Sequence, residues 1–106
     1  MLPLASMLLL CCALLCSPTA ARARPVVAVL AQNGGTEITD FLVPYGVIAS
    51  GGAADVRALS TEGEPVDLWP GLTIVADASI AAFDRAQPEG AAFVIGAQPL
   101  VAMPRP

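Results

Sequence analysis

The chain has 106 residues, and nine acids against five arginines leave a formal charge of −4, with neither lysine nor histidine present. Without histidine, no Ser-His-Asp triad, Cys-His pair or His-ligated zinc site can be assembled from this chain alone. An acidic chain with so few cations does not suit a phosphate backbone, so no nucleic-acid partner is expected. Hydrophobic residues make up 56% of the sequence and charged ones 13%, which is too apolar for a disordered chain.

The first 23 residues read as a targeting segment. Leu2 to Cys16 is an apolar run of signal-peptide length, shorter than the roughly 20 residues that cross a bilayer. Ser17-Pro18 breaks it, and Ala21-Arg22-Ala23 supplies a cleavage site, so an exported protein beginning at Arg24 is expected. Arg22 and Arg24 follow the apolar run while no cation precedes it. That charge order favours the competing reading, an uncleaved N-terminal anchor touching membrane only through residues 2–16. All three cysteines (Cys11, Cys12 and Cys16) lie in this leader, so the body has no disulfide, thiolate metal site or cysteine nucleophile. No metal and no cofactor is expected.

The body, residues 24–97, alternates strand and helix signals. Val26 to Ala31 is apolar on both faces and β-branched, the pattern of a strand buried on two sides. Gln32-Asn33-Gly34-Gly35 turns the chain, and Thr36 is the predicted cap of a helix with Glu37 in its first turn. Ile38, Phe41, Leu42, Tyr45, Ile48 and Ala49 fall at helical spacing, and Ser50-Gly51-Gly52 ends the helix. A second strand is predicted from Asp55 to Leu59. Val66–Leu68 and Leu72–Ala76 then form an antiparallel pair about Trp69-Pro70-Gly71. A short helix over Ser79–Ala86, with Ser79 or Asp77 at its cap, leads to a last strand, Ala92–Gly96. This order predicts an α/β fold, a parallel sheet with helices on its faces. Residues 98–106 carry three prolines and no period, and read as an irregular tail.

Two features of this body bear on function. Asp40, Val43 and Val47 form a second stripe on the helix, opposite the first. A helix apolar on two sides is largely buried, and a carboxylate there needs a partner or a role. Pro44 cannot supply the N–H that would bond the Asp40 carbonyl. The alternative is a first-turn acid facing solvent. The loop Asn33-Gly34-Gly35 lies where open α/β sheets bind ligands, outside the carboxyl end of a strand, although a plain tight turn is the better reading of it. Trp69 reads as a packing aromatic.

The run Asp40-Phe41-Leu42-Val43-Pro44-Tyr45-Gly46-Val47-Ile48, after an apolar strand and a short loop, resembles the opening of the ThiJ/PfpI family of the class I glutamine amidotransferase-like superfamily. DLWPGLTIVADASIAAFD and AAFVIG are similar to the family's next elements, and the likeness covers about Pro25 to Ile95. It implies a partial flavodoxin-like, doubly wound parallel sheet, cut off after about three strands. In such proteins the acid of this helix hydrogen-bonds a reactive cysteine on a strand-to-helix elbow, a role that would fall to Asp40. The elbow would follow the last strand, where this sequence reads QPLVAMPRP.

The expected function is therefore a truncated ThiJ/PfpI-like domain without catalytic activity of its own. Two alternatives remain. One is part of a Cys-dependent hydrolase, hydratase or deglycase-like enzyme completed by a further portion; the other is the ligand-sensing domain of a transcriptional regulator. A homodimer and a small-molecule ligand of undefined chemistry are the partners such a domain would have.

Overall fold

The computed structural model describes residues 23–97; the predicted leader up to residue 22 and the predicted tail over 98–106 lie outside them. Among the described residues the fold is α/β, with two sheets and two helices. β1 (Val26–Ala31) runs through the middle of a four-stranded sheet, parallel to β3 (Asp55–Ser60) on one side and to β7 (Phe93–Gly96) on the other. Its position explains its sequence. A central parallel strand buries both faces, so alternation is absent, and Val27, Ala28, Val29 and Ala31 are all buried.

β2 (Thr36–Glu37) enters α1 (Ile38–Gly51). Thr36 does not cap the helix, as the sequence predicted. Its hydroxyl turns back, accepting from Gln32 N at 2.9 Å and donating to Gln32 O at 3.1 Å, and closes the preceding loop. Glu37 is the cap instead, its carboxylate accepting from Asp40 N at 2.8 Å. Gly52, at φ 68°, ends the helix in the left-handed conformation that glycine adopts without steric cost. The predicted inner stripe is the one that packs: Phe41 is fully buried, with its ring stacked on Tyr45 at 6.3 Å. The second stripe is not buried. Val43 and Val47 are 58% and 65% exposed, and Asp40 is exposed beside them. One covered face is all that a helix on the outside of a sheet needs.

After β3, β4 (Val66–Trp69) and β5 (Leu72–Ile74) form the expected antiparallel hairpin, around a cis Trp69-Pro70 bond. β4 also pairs in parallel with β2, giving a second, three-stranded sheet of order β2-β4-β5. β6 (Ala78–Ser79) pairs with β3, and Ser79 caps α2 (Ile80–Ala86) by accepting from Ala82 N. The main sheet thus has the order β6-β3-β1-β7, four strands rather than about three. β2 and β6 are two residues long, too short to show any period in a sequence.

The two faces of the main sheet carry separate cores. Val29, Ala31 and Ala58 meet Phe41 of α1 with Val66 and Leu68 of the hairpin. Ala28 and Leu59, alternate residues of the same strands, meet Phe83 of α2 on the other face.

Candidate functional site

The loop after β1 is built by long-range hydrogen bonds around Asn33. Gly35 N donates to Gln32 O and closes a tight turn with Asn33 and Gly34 at its corners. The Asn33 side chain then reaches the loop between β3 and β4. Its Nδ2 donates to Glu64 O at 2.8 Å and to Pro65 O at 3.4 Å; its Oδ1 accepts from Glu62 N at 2.8 Å and Thr61 Oγ1 at 3.1 Å. The Asn33 main-chain N–H adds a bond to Thr61 Oγ1. A side-chain amide has two donors and two acceptor sites, and all four are occupied here. Asn33 is therefore a clasp between the ends of β1 and β3, and a ligand at its amide would have to displace one of these bonds. Ser60, buried at the end of β3, donates to Glu62 O and helps shape the same loop.

The neighbouring glycines differ. Gly35 takes φ 119°, open to glycine alone, whereas Gly34 has open space, with only Gln32 Nε2 within 4 Å of a built Cβ, at 3.8 Å.

Asp40 lies in the first turn of α1 with its backbone N–H on the Glu37 carboxylate. Thr39 donates its hydroxyl to the same carboxylate oxygen at 2.5 Å. The Thr39 hydroxyl first, and then the Asp40 N–H, hold the Glu37 carboxyl below its ordinary value of 4.5. The sequence points to Asp40 as the acid of interest and puts Glu37 in the first turn behind a Thr36 cap, whereas Glu37 is itself the cap that fixes the helix start. The available signal was its place three residues before the N–H it accepts from.

No group of three or more metal-ligating side chains forms among the described residues. A concavity of about 270 Å³ lies elsewhere, at the tip of the β4–β5 hairpin, lined by Asp67 to Thr73. Asp67 is already engaged there by the Thr73 hydroxyl at 2.9 Å. Trp69, expected as a packing residue, is 43% exposed at this tip. Among the described residues no helix is long and apolar enough to cross a membrane.

The class defined by these observations is an α/β protein with a parallel main sheet and a mixed second sheet. Compared with family models, characterised proteins and solved structures, the chain matches none.

Proposed function

We propose that residues 24–97 form the opening half of a flavodoxin-like, doubly wound domain of ThiJ/PfpI type, a half that carries the supporting acid Asp40 but no cysteine nucleophile. One observation carries this reading: β7 returns to pair with β1 on the side away from β3, in the parallel order β6-β3-β1-β7. α1 and α2 lie against opposite faces of that sheet, as winding in two directions requires. The switch in direction falls between β1 and β7, so the loop Gln32–Gly35 stands at the crevice where such sheets place ligands.

Two further features agree. β7 is apolar throughout, yet Phe93 and Val94 are 67% and 61% exposed while their β1 neighbours Val27 and Ala28 are buried. A strand with apolar residues on both faces belongs to a sheet interior. This sequence has no histidine and no cysteine after Cys16, so thiol chemistry at the crevice needs a nucleophile from another polypeptide segment. In this reading the half is inert by itself.

The test is to join or co-express residues 24–97 with the second half of a ThiJ/PfpI protein bearing its elbow cysteine. Amide exchange of β7 should slow markedly on assembly, and Asp40→Asn should shift the apparent pKa of the cysteine thiol. Unchanged β7 exchange overturns the proposed fold. A closed sheet with an unshifted thiol overturns the role of Asp40.

A further inference from the structure

We propose that Asn33-Gly34 is a deamidation site gated by the fold, and that its conversion unlatches the loop after β1 from the loop after β3. The chemistry needs only the chain and water. The Gly34 main-chain nitrogen attacks Asn33 Cγ, a new N–Cγ bond forms, and the Cγ–Nδ2 bond breaks. Ammonia leaves with the proton from Gly34 N. Water then opens the five-membered imide at either carbonyl, giving aspartate or its isomer linked through the side chain. Glycine favours the first step because no Cβ hinders its nitrogen, and the space about Gly34 is open apart from the end of the Gln32 side chain.

The fold opposes that step. To meet Gly34 N, Cγ must swing toward its own main chain and take Nδ2 and Oδ1 with it. Those atoms are held by Glu64 O, Pro65 O, Glu62 N and Thr61 Oγ1, partners 28 to 32 residues away along the chain. The reaction therefore draws on molecules in which this clasp has opened.

The product cannot restore the donor half of the clasp. An aspartate has no N–H for Glu64 O and Pro65 O, so two carbonyl oxygens would face a carboxylate oxygen. It also brings a negative charge to a loop that already holds Glu62 and Glu64. The isomer adds a backbone carbon to a turn held by the Gly35 N to Gln32 O bond and by the Thr36 hydroxyl on Gln32. Either product loses the two Nδ2 bonds and so loosens the loop after β1 from Glu64 and Pro65, although the main-chain bond from Asn33 N to Thr61 Oγ1 does not depend on the amide.

The experiment follows the full chain at mildly alkaline pH, native and in urea, by peptide mass and detection of the isomer. Conversion in the native chain should be slower by roughly tenfold or more than in urea, the factor set by how seldom the clasp opens. Thr61→Val, which removes one partner of Oδ1, should raise the native rate, and Gly34→Ala should suppress the rate in urea. In Asn33→Asp, amides of residues 61–64 should exchange faster than in the wild type. Native conversion as fast as in urea, or faster, overturns the gating. Equal rates for Gly34→Ala and wild type in urea overturn the site, and unchanged loop exchange in Asn33→Asp overturns the unlatching.

Discussion

The two edges of the main sheet are finished in opposite ways. At the β6 edge the strand is two residues long, and Asp77 completes the pairing just before it. Its N–H donates to Ala58 O and its carboxylate accepts from Ala58 N, both at 2.8 Å. β6 then runs directly into α2 through the Ser79 cap. At the β7 edge four apolar residues stand in a row, with no charge, no proline and two large side chains open to water. Short strands and edge charges deter unwanted pairing, and an apolar four-residue strand invites it. Among the described residues the β6 edge is short and carries a charge, and the β7 edge presents an apolar strand.

The largest expected effect breaks the finished side. Leu59 is 2% exposed, pairs with Ala78 of β6 and packs with Phe83 of α2. Leu59→Ala should cost about 2–5 kcal/mol in urea unfolding, the range for truncating a buried leucine. A loss below about 1 kcal/mol would mean that the α2 face is not a consolidated core.

Asp77→Ala comes next. It leaves the N–H of the nearly buried Ala58 without its acceptor, and about 1–3 kcal/mol should be lost. Asp77→Asn, which keeps an acceptor oxygen, should recover most of it. Equal losses for the two variants would show that charge, and not the hydrogen bond, closes this edge.

The open side should respond differently. Phe93→Lys and Val94→Lys change exposed positions, so unfolding stability should stay within about 0.5 kcal/mol of the parent. Self-association at micromolar concentration, followed by sedimentation velocity, should fall in both, because lysine is an edge residue that resists pairing. Undiminished association would place the sticky surface elsewhere, with the exposed Val43 and Val47 of α1 next to be substituted.

Much of this contrast was legible in the residues. β1 declared itself by being apolar on both faces, and the hairpin by two short runs about Trp69-Pro70-Gly71. The inner stripe of α1 was legible because Phe41 and Tyr45 sit one helical turn apart. What the sequence concealed depends on distant partners. β2 and β6 exist because β4 and β3 offer them an edge, and two residues have no period of their own. The Asn33 clasp spans about thirty residues, so only its turn half, Asn33-Gly34, could be read locally. Val43 and Val47 misled for a simpler reason: apolar residues at helical spacing do not say whether anything lies opposite them.

The smallest effect belongs to Glu37, which like Asp77 sets a carboxylate on a main-chain N–H beside a two-residue strand: Glu37 ends β2 and holds Asp40 N of α1, and Asp77 precedes β6 and holds Ala58 N of β3. Glu37 is the more exposed arrangement, screened by water, so its contribution is slight and best seen through pH. The Thr39 hydroxyl and the Asp40 N–H both favour the ionised form, which is why its pKa lies below 4.5 in the folded chain. A group whose folded pKa is depressed adds stability that is complete above the unfolded value and is lost as pH falls through the folded one. Glu37→Gln keeps an acceptor oxygen for the Asp40 N–H but cannot titrate. The stability gap between wild type and this variant should therefore be constant near neutrality and narrow as the solution is acidified below 4.5. A gap that stays flat through the acid range would mean that Glu37 serves α1 as a neutral acceptor only.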